Sequence, residues 1–94
     1  MGIAAALTKL PRSVVRDLDL LTDVGVEVQQ VAPKSLADQA GIRADDVIIE
    51  LAGRLITSVD DLHRLLMTLP IDQGFELTVI RGERRQPVYV AAKG

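Results

Sequence analysis

The stretch Val31–Leu62, VAPKSLADQAGIRADDVIIELAGRLITSVDDL, decides the fold. Ala32-Pro33-Lys34 closes a strand. Ser35 stands where it caps a short helix running to Ala40, and Gly41 supplies the left-handed residue that stops it. Ile42 then folds back onto the core. Asp45-Asp46 forms a turn, Val47–Leu51 is strongly β-prone, Gly53 breaks it, and Leu55-Ile56 resumes as a short strand. Ser58 opens the clearest helix. Asp61, three residues on, makes a capping-box-like pair with it. Val59, Leu62, Leu65, Leu66 and Leu69 form one apolar stripe, and Pro70 ends the helix.

Upstream, Val24, Val26 and Val28 alternate with polar residues and glycine, the period of a half-buried strand. Pro11 suits a first helical position, and Val14, Val15, Leu18 and Leu21 follow at helical spacing, so a short helix is expected over Pro11–Leu20. Met1–Leu7 is apolar, and periodicity alone leaves it as strand or helical turn. Downstream, Phe75–Arg81 alternates, Arg81-Gly82-Glu83-Arg84 turns, and Gln86–Ala92 returns as the second arm of a hairpin. The mixture predicts an α+β fold: a small sandwich or partly open β-barrel of five to six strands, capped by two to three short helices. A sheet of this size leaves at least one edge available.

The chain has 94 residues, room for one domain, and 48% of them are hydrophobic. Phe75 is the sole phenylalanine and Tyr89 the sole tyrosine, so the core must be aliphatic. Cysteine is absent, which excludes disulfides and thiolate-bound metal. The net charge is −2, with both signs dispersed. That pattern argues against nucleic acid as a partner. Arg81, Arg84 and Arg85 cluster at one turn and read as a solvated hairpin tip. No apolar run approaches the roughly 20 residues that span a bilayer, and MGIAAAL is too short for a secretory signal.

Catalytic chemistry is poorly supplied. His63 is the only histidine and is read as pointing outward from its helix. Ser13, Ser35 and Ser58 each fit a helix start or cap better than a nucleophile's place, and no triad can be assembled from them. Asp45-Asp46 and Asp60-Asp61 are adjacent pairs, whose side chains diverge and cannot act as a general acid/base couple. No metal-ligand cluster and no phosphate-cradling loop is present, so neither catalytic residues nor metal nor cofactor is expected.

The segment Pro33, Ser35, Ala37, Ala40-Gly41-Ile42, Asp46-Val47-Ile48, Gly53, Ser58 and Asp61-Leu62 resembles the PDZ domain of HtrA-type bacterial serine proteases. FELTVIRGERRQPVYV resembles that family's closing hairpin, and MGIAAALTKLPRSVVRDLDL its opening strand and short helix, so the likeness covers residues 1–94 as one PDZ domain. Two turn positions depart from the family: Asp45 replaces a Gly, and Ala52 replaces an Asn. The resemblance implies a fragment of a longer protease, extracytoplasmic in location, with a covalently linked catalytic domain. It implies a partner that is a peptide or protein C-terminus, or an extended apolar segment, added as a strand to a sheet edge. The carboxylate-holding loop would be Met1-Gly2-Ile3-Ala4, and the open edge would run through Ile3–Leu7, including Ala5 and Ala6. Ser58, Leu62 and Leu65 or Leu66, on the helix Ser58–Thr68, would form the opposite wall. No His stands at the helix start, so an apolar ligand terminus is expected. The alternative within the same fold is a scaffolding module of a secretion or membrane-embedded protease system.

Overall fold

Apolar residues on both sides of the central strands force two packed faces, and the chain answers with helices on each side of one sheet. The computed structural model describes residues 2–68 and 74–91. The expectations for Met1, Leu69, Pro70 and Ala92 lie outside the described residues. Elements run β1 (Ile3–Lys9), α1 (Arg12–Asp17), β2 (Val24–Val31), α2 (Leu36–Ala40), β3 (Val47–Leu51), β4 (Arg54–Leu55), α3 (Val59–Thr68), β5 (Phe75–Arg81) and β6 (Arg84–Val90). All pairings are antiparallel, in the order β1-β2-β3-β5-β6, with β4 hairpinned onto β3. The sheet is open and does not close into a barrel, in keeping with the partly open arrangement expected. β1 is one of its edges.

The larger core joins Val26, Val28, Ile48, Leu51, Leu77, Val79, Val88 and Val90 of the sheet to Ala37 of α2, Ile42 and Leu62 of α3. The smaller one joins Leu10 and Val14 to Ile49 and Ile80 on the other face. β3 serves both. Its register against β5 shifts between Ile48 and Glu50, and such a bulge lets Ile48 and Leu51, three residues apart, share one face. Fully burying one such aliphatic side chain stabilises by about 1.5–3 kcal/mol.

Local punctuation in the Val31–Leu62 stretch forms as expected. Ser35 Oγ accepts the Asp38 N–H at 3.2 Å, and Gly41 closes α2 with φ 90°. Ala52 (φ 52°) and Gly53 (φ 81°) are both left-handed, as a tight two-residue hairpin demands.

Four expectations are corrected. Helix α1 stops at Asp17, and Pro11 is its N-cap and not its first helical residue. The chain turns at Asp19 (φ 52°), which lets Leu18 and Leu20 both pack on the smaller core; Leu21 is left exposed. The short strand is Arg54–Leu55, because Ile56 turns wholly into the core. Asp46 is not a surface turn residue: its carboxylate is 2% exposed. Arg81 is not part of a solvated tip. Its Nε and Nη2 reach the two Asp46 oxygens at 2.8 and 2.6 Å, and Nη2 also donates to the Gly41 carbonyl at 2.9 Å. The Arg43 N–H completes the carboxylate's shell at 3.0 Å. The hydrogen bond to Asp46 pushes the Arg81 guanidinium further up from an already high value. This fork staples the end of α2 to β5.

Candidate functional site

The ladder between β1 and β2 fixes which backbone groups of β1 are uncommitted. The Ala32 N–H donates to the Gly2 carbonyl at 2.7 Å, beside the Ile3–Val31 pair. In an antiparallel ladder that bond makes Ile3–Val31 a non-hydrogen-bonded pair, so the Ile3 N–H and C=O turn away from β2. The other end gives the same phase: the Leu10 N–H donates to the Asp23 carbonyl at 2.6 Å, beside the Lys9–Val24 pair. The register shift between Ala4 and Ala5 places Ala5 opposite Val28. Val28 spends its own N–H and C=O on Asp46 and Asp45. Ile3, Ala5, Leu7 and Lys9 therefore direct their backbone groups to the free edge.

Beside that edge lies a groove of ≈ 310 Å³ between β1 and α3. Gly2, Ile3, Ala4 and Ala5 line one wall with Gln29, and Val59, Leu62, His63 and Leu66 line the other. The helical positions fall at i, i+3, i+4 and i+7, a single stripe. Gly2 has φ +89°, and a Cβ there would collide with the Ser35 side chain. Glycine is thus needed twice over at the mouth, for backbone shape and for space. The capped start of α2 is what closes in on it.

Among the site residues expected from sequence, Gly2, Ile3, Ala4, Ala5, Leu62 and Leu66 are brought together in the groove. Leu62 belongs to the main core as well, and Leu65 packs half-buried against that core. Ala6 lies one residue further along β1, on its opposite face. The Ser58 hydroxyl is engaged by the Asp61 N–H at 3.0 Å, the cap expected of it. The reciprocal arm reaches one residue further back than a capping box: Asp61 Oδ2 accepts from the Thr57 hydroxyl at 2.8 Å and the Thr57 N–H at 3.3 Å. These bonds hold the Asp61 carboxyl below its ordinary range, the Thr57 hydroxyl foremost. Sequence reasoning missed Val59, Gln29 and His63 as lining residues. His63 is exposed, as expected, yet it stands at the groove's rim. Its spacing from Val59 and Leu66 was the available signal.

A groove with one neutral amide and one imidazole among apolar groups offers shape and hydrogen-bonding edge. Among the described residues no group of three or more His, Asp or Glu is placed to hold a metal ion, and no helix is long and apolar enough to cross a membrane.

Comparison with known proteins agrees with this geometry. The profile of the PDZ domain family (PDZ_2) matches residues 1–91. The chain is 30% identical over 77 residues to a probable periplasmic serine protease do/HhoA-like of Haemophilus influenzae, covering 82% of this chain and 16% of that protein. It is 34% identical over 74 residues to the periplasmic serine endoprotease DegP of Escherichia coli, covering 79% of this chain and 16% of that one. The chain thus spans about a sixth of the length of these curated relatives. Among solved structures, the HtrA3 PDZ domain bound to a phage-derived ligand, FGRWV, superposes with TM-score 0.72 and 26% identity, over 97% of this chain and 81% of that one.

Proposed function

This chain belongs to the PDZ domain family, and on that premise we propose that it captures protein C-termini or extended apolar segments by strand addition to β1. The observation that carries the reading is the uncommitted backbone edge at Ile3 and Ala5, lying beside the apolar stripe of α3. An incoming strand pairs with Ile3 and Ala5 while its alternate side chains drop between Val59, Leu62 and Leu66. Its terminal carboxylate sits at Gly2, where the left-handed turn lets successive amides converge on an anion. The ligand of the HtrA3 relative ends in an apolar valine, in keeping with an aliphatic floor here. One buried apolar side chain contributes about 1.5–3 kcal/mol, roughly a ten- to hundredfold gain in affinity over a ligand without it.

Because the relatives are serine proteases with periplasmic names, the parent protein is proposed to be an extracytoplasmic serine endopeptidase. In it this domain delivers exposed termini to a covalently linked catalytic domain, or reports their presence to it. The test is an isotope-labelled titration with a peptide ending in valine. Amide shifts at Gly2–Leu7 and Val59–Leu66 are expected. Shifts gathered instead around the crevice of ≈ 270 Å³ formed by Leu20, Leu21, Ile49, Leu55 and Arg85 would place binding elsewhere and overturn the reading.

A further inference from the structure

β1 continues past the groove. Its outward backbone groups recur at Leu7, two residues beyond Ala5 on the same ladder phase. The Leu7 side chain is 53% exposed, unusual for a leucine in mid-strand. Its face is fixed by its partner: Leu7 pairs with Val26, which is wholly buried in the larger core. Opposed residues of an antiparallel pair share a face. Ile3 and Ala5 pack against that same core, so Leu7 stands on the groove side of the sheet. Val59 is the groove-lining residue nearest the start of α3, and Leu7, exposed on the same face, is not among the residues that line the groove.

We propose that Leu7 is a specificity residue for the fifth ligand residue from the C-terminus, which must be apolar for full affinity. The inference rests on the strand-addition reading above. In antiparallel addition, a ligand whose last residue opposes Ile3 sets its third-from-last opposite Ala5 and its fifth-from-last opposite Leu7. Opposed side chains lie about 4.5–5.5 Å apart at Cβ, close enough for an apolar pair to cover the exposed leucine. The recognised class is therefore an extended segment with an apolar terminus and a second apolar residue four positions before it. An apolar terminus alone forms only the inner contacts.

The experiment compares two octapeptides, Ser-Gly-Ser-Leu-Ser-Ala-Thr-Val and its counterpart with Ser in place of Leu. Binding of each is measured to the native chain and to Leu7→Thr, a β-branched replacement that keeps strand preference. The Leu peptide is expected to bind the native chain about tenfold more tightly, and Leu7→Thr to reduce that preference below about twofold. Equal affinity of the two peptides for the native chain, with C-terminal amidation still weakening both, overturns the Leu7 assignment and leaves the groove reading standing. A preference that persists undiminished in Leu7→Thr also overturns it. Failure of both peptides to bind overturns the groove reading together with it.

Discussion

The segment Val31–Leu62 and the edge strand Ile3–Lys9 are built on opposite principles. In the former, the polar side chains at the turns and caps are spoken for: Ser35 caps α2, Ser58 accepts from the Asp61 N–H, and Asp46 grips Arg81. In the latter the side chains from Ile3 to Thr8 are small or apolar, and the backbone hydrogen-bonding groups of alternate residues face outward. Saturated polar groups specify a fold, because leaving any of them unmet is costly. Unsaturated backbone specifies a partner, because another strand meets it. The recognisable signature and the proposed interaction surface therefore sit in different parts of the chain, joined where Ser35 packs against Gly2.

The contrast breaks first at the Asp46–Arg81 fork. Arg81→Met leaves a buried carboxylate unpaired and should destabilise by about 3 kcal/mol, measured by urea unfolding, while the folded fraction binds peptide as before. Loss of binding by folded Arg81→Met would show that the two regions are not separable. Gly2→Ala should act the other way. A left-handed alanine costs about 1–2 kcal/mol and its Cβ would displace the Ser35 side chain, so the mouth is distorted and peptide affinity should fall by at least about tenfold, with the sheet's circular dichroism unchanged. Unchanged affinity would remove Gly2 from the site. Ser58→Ala should lower stability by about 1 kcal/mol through loss of the cap, with little change in ligand preference. A clear change in preference would instead put the Ser58 hydroxyl in contact with ligand.

Ala52 offers a gain. It holds φ 52° in a two-residue hairpin that favours Asn-Gly, and Ala52→Asn should raise stability by about 0.5–1 kcal/mol. The smallest effect is electrostatic. The Asp61 carboxyl is held below its ordinary range by Thr57, so its contribution is present above the ordinary carboxylate range. It is lost as pH falls through the lowered folded value. Asp61→Asn should flatten that part of the acid limb of a stability-versus-pH curve; an unaltered limb would dismiss the Thr57 contact.

Sequence made the fold readable where punctuation is local. Ser35, Gly41, Gly53 and Ser58 each act within a few residues of themselves, and each does what its neighbours demand. The Asp46–Arg81 pair was hidden because its partners are 35 positions apart, and nothing near either residue announces the other. The end of α1 escapes the sequence for a related reason: helical spacing continues through Leu18, yet packing of Leu20 on the smaller core requires a turn first. On the groove, the helix stripe is legible, but a stripe drawn through leucines and valine alone does not show that exposed His63 also stands at the groove's rim. The outward phase of β1 could not be read from composition, since it depends on the register with β2.

The central claim is that the Gly2 mouth receives a free carboxylate at the end of an added strand. The direct measurement is the affinity of one valine-terminated peptide as the acid and as the C-terminal amide, by calorimetry at fixed salt. A charge-assisted contact is worth about 1.5–3 kcal/mol, so the amide should bind at least about tenfold more weakly. Equal affinity of acid and amide would contradict the account.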